Sequence, residues 1–366
     1  MYNSPTRLFK HKRAQTPETQ FNWIFILIVG ALIIAFFTVI VMKQKGASET
    51  KVSGKLTRQL NTILVGARVS SGTVQEIPTP KFAVRFACND YYIGDVEQRL
   101  GNRIVFAPEH LEGKTLLTWT LDWNTPFKVT TFLYITNPKT RYILIPVEAA
   151  GDIHRQLNIS LPVKLNRNFD APQYDVDPDS DYMSLRKGLE DNVRFIFLGG
   201  DESFTPAVPT EFIGARGSAL QIFTGENRLR FFEMQGMGFR DLTAESMSGP
   251  SGPVPYLDFE SMLGAIFSDN PKIYGCAINR AWKTWNIVSL IYKQKLDFIA
   301  PEFAETACEG YYSDNFDLLR ISEVTEKGFD PFDAGVDGDI SDVSAAITNL
   351  RRTNERAQLS SCPLIY

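Results

Sequence analysis

Four aspartates occupy every second position of the segment YDVDPDSDY: Asp175, Asp177, Asp179 and Asp181. Calcium-binding loops supply carboxylate oxygens at alternate positions in the same way. The match ends there, because Ser180 stands where the turn of such a loop needs glycine, and Arg186 stands where a bidentate glutamate would bind. Two interpretations stay open for these carboxylates: a Ca²⁺ site, and a solvated acidic loop, which the mismatches favour.

A second acidic cluster surrounds Gly335 and Gly338 and consists of Asp330, Asp333, Asp337, Asp339 and Asp342. Its register also departs from that of a calcium loop, so we interpret residues 329–342 as an acidic loop. Ca²⁺ at the first cluster is therefore the one cofactor that the sequence suggests, and we predict none otherwise.

Residues for acid–base catalysis are few. Besides His11, which precedes the first apolar segment, the chain contains only His110 and His154. Asp152 and His154 would share a face on a strand, but their segment has the pattern of a helix, where residues two apart diverge. The G-x-S-x-G string of serine hydrolases is absent, and so are both glycine-rich phosphate-binding motifs. We assign no catalytic residue from the sequence.

One glycine pair lies where ligands often bind. Gly199 and Gly200 follow the apolar run VRFIFL and precede Asp201. Ligands of α/β proteins commonly lie just beyond the carboxyl end of such a strand, whereas a glycine pair there usually forms a turn. We favour the turn.

The elements that hold these residues begin with a long apolar segment. Trp23–Met42 contains no charged residue, and a helix of this length crosses a hydrocarbon core of about 30 Å. We predict a short basic tail over residues 1–20 and a transmembrane helix over residues 21–43. A cleaved signal peptide is the alternative, but its apolar region would be shorter.

The tail gives the expected orientation. It carries more basic than acidic residues, namely Arg7, Lys10, Lys12 and Arg13 against Glu18. Basic residues flanking a span favour the cytoplasmic side, although Lys43 and Lys45 follow the span as well. We predict a single-pass protein of the cell membrane, with its N-terminus in the cytoplasm and its C-terminal domain outside.

All the cysteines follow the anchor: Cys88, Cys276, Cys308 and Cys362. Outside the cytoplasm they can form two disulfide bonds, and their spacing leaves every pairing open while excluding a CxxC metal knuckle. The alternative is that some of them are buried as small apolar side chains.

The rest of the chain has the pattern of a mixed α/β, or α+β, domain. Residues 44–76 contain a juxtamembrane helix with Leu56 and Leu60 at helical spacing, followed by a linker. Residues 77–255 begin with β-rich segments, 81–88, 103–107 and 115–122. They continue with buried strands at 141–147 and 193–198 around a helix at 152–159, and with a hairpin of strands 218–224 and 228–234. We predict a mostly parallel sheet with an added hairpin.

Residues 256–366 are predicted to be helical and to cover that sheet. Pro271 suits the first turn of one helix, and further helices are expected at 314–327 and 341–359, with Ser341 as the N-cap of the last. We interpret Trp282, Trp285 and Tyr292 as core residues of the first of these helices and not as an aromatic ligand box.

Several segments carry a family resemblance. The pattern Trp119-x-x-x-Trp123, the string GAIFSD, and the following helix with its Tyr-x-Cys resemble those of uncharacterised single-pass membrane proteins of archaea. The resemblance covers most of the chain and implies a domain on an archaeal cell surface. It implies no activity and no functional residues.

Composition narrows the possible functions. The chain is 44% hydrophobic and 22% charged with a net charge of −4, the balance of a folded protein without a bias toward polyanions. We therefore expect the lipid bilayer and a protein partner or a second copy, and not nucleic acid, as partners. The favoured function is a membrane-anchored interaction or structural protein; the alternatives are a membrane-anchored hydrolase acting on cell-envelope material and a pilin-like surface assembly subunit.

Overall fold

The computed structural model describes residues 17–66, 71–94, 96–147, 151–166, 168–170, 192–208, 212–214, 216–223, 225–243, 252–313, 316–333 and 335–366. The chain divides into two compact units, Met1–Lys55 and Leu56–Tyr366. They are described separately below.

The first unit contains most of the longest helix. This helix, α1, runs over Pro17–Gly66, and its segment Trp23–Lys43 has a mean hydropathy of 3.2 and contains no buried residue. It is the one helix in the described part of the chain that is long and apolar enough to cross a membrane, and it lies near the N-terminus. A helix with the length and apolar composition that the sequence predicts is therefore present.

The second unit begins with a six-stranded sheet in the order β3-β2-β1-β5-β6-β4. All its pairs are antiparallel except β4 with β6. Leu56 and Leu60 of α1 are buried and pack in one cluster with Val84 and Leu111 of this sheet. The strands are β1 Val74–Phe86, β2 Asp90–Ile93, β3 Val96–Arg99, β4 Ile104–Phe106, β5 His110–Asn124 and β6 Lys128–Thr136.

A seven-stranded sheet follows, in the order β12-β11-β10-β9-β7-β8 with β13 paired to β11. Strands β8, β7, β9 and β10 are parallel, whereas β11 pairs antiparallel with β10, β12 and β13. The strands are β7 Thr140–Pro146, β8 Phe169–Asp170, β9 Asn192–Leu198, β10 Arg216–Phe223, β11 Arg228–Gln235, β12 Gly238–Asp241 and β13 Val254–Pro255.

The expectation of a mostly parallel sheet is correct only for four strands of this second sheet, from β10 to the edge strand β8. Across both sheets the pairing is mixed and mostly antiparallel. The reason lies in the connections, because a parallel pair needs a crossover of a dozen or more residues. A short turn such as the one between β10 and β11 places the second strand antiparallel beside the first. The predicted hairpin is confirmed as β10 and β11.

Helices cover the sheets. Short helices α2 Gly151–Ser160 and α3 Val163–Asn166 follow β7, and α4 Phe259–Phe267 and α5 Pro271–Ile299 follow β13. As predicted, Pro271 occupies the first turn of α5, and Asn270 caps it. A 3₁₀ turn, Ala300–Phe303, leads to α6 Glu309–Tyr312, α7 Phe316–Glu326 and α8 Val336–Leu359.

One helix start differs from the prediction. Helix α8 begins at Val336, so Ser341 lies inside it and Gly335 holds the N-cap position. The first turn contains Asp337 and Asp339, whose negative charges favour the N-terminal end of the helix dipole. Much of the segment interpreted as an acidic loop is therefore the start of this helix.

The two sheets share one hydrophobic core, and α5 lies in it. The Tyr274 ring of α5 has its centroid 6.1 Å from that of Phe106 in the first sheet and 5.7 Å from that of Phe231 in the second. Trp282 and Trp285 are 1% and 0% exposed in the same core, as predicted. Helix α5 thus joins the two sheets through aromatic side chains.

Two helical glycines give a matched test of this packing. A Cβ at Gly264 would lie 2.6 Å from the ring of Phe106, which is fully buried and cannot move aside. A Cβ at Gly338 in α8 would meet nothing within 4 Å. Gly264→Ala should therefore lower the free energy of unfolding by about 1–3 kcal/mol through overpacking. Gly338→Ala should raise it by about 0.5–1 kcal/mol because alanine loses less backbone entropy in a helix.

Urea unfolding of the full-length protein in mild detergent measures both variants. Equal effects of the same sign would show that α4 does not lie against β4 as closely as described.

Candidate functional site

A cleft of about 860 Å³ opens at the amino ends of the parallel strands β7, β9 and β10. Thr140, Asn192 and Arg216, the first residues of these strands, line one wall. His110 and Glu112 of β5 and Asp269 of the loop between α4 and α5 line the other parts. Both sheets and the helical layer therefore contribute to the cleft.

Arg194 is the most deeply buried charged residue of the cleft, with 3% of its surface exposed. Side chains alternate along a strand, so Arg194 in NVRFIFL shares the face of Ile196 and Leu198, which points into the core beneath the helices. The alternation that buries this face of β9 therefore also buries a guanidinium.

The guanidinium is held by polar groups from two other elements. Its Nη1 donates to Ser218 Oγ at 2.7 Å, and its Nη2 donates to the carbonyl oxygens of Ala265, at 2.8 Å, and of Ser268. These carbonyls belong to the C-terminal end of α4, where helix carbonyls lack an intrahelical partner and the dipole favours a cation. Arg194 therefore ties the end of α4 to the second sheet.

Asp269 supplies a charge of opposite sign near this arginine. It is half-buried, and its Oδ1 accepts a hydrogen bond from the Glu109 N–H at 2.7 Å. Desolvation raises the pKa of Asp269, and the neighbouring Arg194 opposes that rise. Burial lowers the pKa of Arg194 to about 10, which leaves the guanidinium charged at neutral pH.

The mouth of the cleft carries further charges of both signs on exposed side chains. Arg216 lies 3.7 Å from the Glu112 carboxylate, and Glu233 accepts a hydrogen bond from Arg240 at 2.7 Å. His110 Nε2 lies 3.8 Å from Glu109 Oε1, and the His110 side chain is 65% exposed.

Comparisons with family models, with curated proteins and with solved structures find no match to this chain. The chemistry of the cleft therefore rests on these side chains, which suit a polar ligand that carries charge.

The cleft contains one of the two candidate imidazole bases. His110 lines it, whereas His154 lies in α2 and is not among the described lining residues. Burial lowers the pKa of His154, which favours the neutral ring. A base that is activated for hydrolysis normally has both ring nitrogens oriented by close hydrogen bonds. The contact between His110 and Glu109 is longer than a hydrogen bond.

The four cysteines are paired. Cys88 is bonded to Cys276, and Cys308 is bonded to Cys362. The first bond joins the turn between β1 and β2 to α5, and the second joins the start of α6 to the segment after α8. No free thiol remains in the chain, so none is available as a nucleophile or metal ligand.

The first acidic cluster, Asp175, Asp177, Asp179 and Asp181, lies outside the described residues. In the second cluster the aspartates of α8 pair with basic residues: Asp337 with Arg228 at 2.6 Å, Asp339 with Lys327 at 2.8 Å, and Asp342 with Arg320. Among the residues that the structure describes, no group of three or more His, Cys, Asp or Glu side chains is arranged to hold a metal ion.

The glycine pair after β9 bends the chain and leads into a turn at residues 202–203. Gly199 and Gly200 have φ values of 94° and 79°, in the region that glycine adopts most easily. The buried Gln221 side chain fills the space beside them and donates to the carbonyl oxygens of Gly199, at 3.1 Å, and Asp201, at 3.0 Å. Val147, Phe204 and Gln221 pack beside Gly200 at this end of the strands, whereas the cleft lies at the opposite ends.

Proposed function

We propose that this protein is a membrane-anchored interaction protein whose disulfide-bonded domain lies outside the cytoplasm. The observation that carries the proposal is the pairing of all four cysteines of the chain into two bonds. Disulfides persist in oxidising compartments and are rare in the reducing cytosol. One apolar helix long enough to span a membrane precedes all of them.

The orientation of the anchor agrees with this location. Four basic residues precede the apolar helix, and cytoplasmic flanks of membrane spans are enriched in such residues. The N-terminal tail is then cytoplasmic and the domain of residues 56–366 is outside, attached by a single span.

Binding is better supported than catalysis. The cleft combines a buried guanidinium with exposed carboxylates and a second arginine, which suits recognition of a ligand that carries charged groups. A hydrolase acting on cell-envelope material is less well supported, because the imidazole in the cleft is exposed and no thiol is free. We therefore place the function in recognition or assembly at the membrane surface.

Protease treatment of intact cells tests the location. We expect loss of the domain from the cells and protection of the tail before Phe21, as read by mass spectrometry of the residual peptides. Under non-reducing conditions the released digest should contain peptides that link Cys88 to Cys276 and Cys308 to Cys362. A cytoplasmic protein and permeabilised cells provide the controls. Survival of the domain in intact cells, with reduced cysteines, would overturn the proposal.

A further inference from the structure

Helix α5 is apolar on two opposite sides. One side, with Trp282, Trp285 and Leu296, lies in the core. On the other side the large apolar residues are exposed: Ile287 at 60%, Leu290 at 43%, Ile291 at 57% and Phe298 at 76%. Their spacing of three, four and seven residues places them along one line of the helix, which we call the outer stripe.

The protein covers the earlier turns of this side itself. Cys276 and Arg280 lie on the same line of α5, three and two turns before Ile287. Cys276 is bonded to Cys88, and Arg280 donates to the carbonyl oxygens of Cys88 and, at 3.1 Å, of Arg103. The outer stripe begins where this cover ends. The apolar residues are closely spaced from Ile287 to Ile291, and the polar Gln294 separates them from Phe298. Exposed apolar clusters of this kind mark a contact with another molecule.

The charges beside the stripe indicate what that molecule is. Lys283 and Asp297 are exposed, and each lies seven residues, or two helical turns, from Leu290. If two copies of α5 pack antiparallel across a twofold axis at Leu290, Lys283 of one copy meets Asp297 of the other, and the reverse contact forms as well. Asp297 already accepts a hydrogen bond from Lys293 at 2.6 Å in its own helix, so the second lysine joins an existing pair.

We propose that the outer stripe binds the same stripe of a second copy, in an antiparallel helix pair centred on Leu290. Ile287, Leu290 and Ile291 then pack at the middle of the interface, a Lys–Asp pair lies at each end, and Phe298 lies just beyond that pair. The inference names a partner for the proposed function, and it rests on that function because it assumes that both copies are anchored in one membrane. Copies anchored in one membrane meet at high effective concentration, so an interface of one helix each can suffice.

Glutamate substitutions in the stripe provide the first test. Full-length protein reconstituted into lipid vesicles should be a dimer, as measured by energy transfer between chains that carry donor and acceptor labels. Ile287→Glu and Ile291→Glu should each raise the dimer dissociation constant about tenfold or more, because a carboxylate would be buried in an apolar interface. Leu359→Glu, at an apolar residue that is 87% exposed on α8, is the matched control and should leave the dimer unchanged. A urea unfolding midpoint close to that of the unaltered protein shows that each variant is folded.

Charge exchange tests the register. Lys283→Glu and Asp297→Lys should each weaken self-association by about two- to tenfold, since each places like charges at both ends of the pair. A mixture of the two variants carrying different tags should form heterodimers as tightly as the unaltered protein, because opposite charges then meet at both ends. Separately tagged unaltered chains are the reference.

Three outcomes would overturn the inference. The unaltered protein could be monomeric, the dimer could survive the stripe glutamates because another surface forms it, or a segment of the same chain could be found cross-linked over the stripe. Failure of the mixed variants to recover tight association would reject the antiparallel register. These results are independent of the shaving experiment, because the purified protein reports on its interface whichever side of the membrane the domain occupies.

Discussion

Replacing Arg194 with methionine is expected to lower the free energy of unfolding by about 3–5 kcal/mol. Methionine fits an apolar strand but cannot donate to Ser218 Oγ or to the carbonyls of Ala265 and Ser268 at the end of α4. Those acceptors would stay buried without a partner, and Asp269 would lose its neighbouring cation. Urea unfolding of the full-length protein in mild detergent, followed by tryptophan fluorescence, measures the change.

Two further variants show whether the loss has this cause. Arg240→Met removes a pair with Glu233 in which both side chains are about half exposed, and it should change the free energy by less than about 1 kcal/mol. Adding Asp269→Asn to Arg194→Met should recover part of the lost free energy of unfolding, because residue 269 then carries no charge that needs a neighbouring cation. A loss in Arg194→Met no larger than that in Arg240→Met would show that this arginine does not hold α4 to the sheet.

Removing the Cys88–Cys276 bond by a double serine substitution should also destabilise the protein by about 3–5 kcal/mol. The bond closes a sequence separation of 188 residues, against 54 for Cys308–Cys362. In the chain-entropy account, the longer loop makes the first bond more stabilising by about 1 kcal/mol. Its loss also releases the turn that accepts a hydrogen bond from Arg280.

The matched comparison is the double serine variant of Cys308 and Cys362, measured by the same unfolding experiment. Dithiothreitol added to the unaltered protein should produce at least the loss seen in the first variant. An equal loss in both variants, or a larger one for the shorter loop, would contradict the expected order.

The sequence predicts the elements best where a regular pattern meets a clear boundary. The run from Arg141 to Val147 and the one from Val193 to Leu198 are short and apolar and contain β-branched residues, and both form strands of the second sheet. Pro271 after a capping asparagine marks the start of α5 in the same way. Local chemistry determines these features, so they can be predicted without the fold.

Other elements leave no such signal. Helix α4 is buried from Ser261 to Phe267, so its apolar residues show no periodicity from which a helical face could be predicted. Ser341 is a good capping residue by type, but the helix begins five residues earlier, where Asp337 pairs with Arg228 of β11. That contact joins segments far apart in the chain, and a local pattern cannot reveal it.

The cleft could not be predicted from the sequence for the same reason, although one residue indicated a buried polar site. Arg194 is the only charged residue in NVRFIFL, and a charge inside a buried strand must be paired or bonded within the protein. That much is predictable from the strand itself. Its partners, Ser218, Ala265 and Ser268, come from segments that only the tertiary fold brings together.

The position of Tyr274 has a consequence for how the domain can be divided. Its ring contacts Phe106 and Phe231, which belong to different sheets, and only residues 137–139 connect those sheets along the chain. A fragment cut at this short link would expose apolar surface in either case, because the first half would lose α5 and the second half would lose the sheet against which Tyr274 of α5 packs. The two sheets should therefore melt in one cooperative step, and neither half is a sensible unit for separate expression.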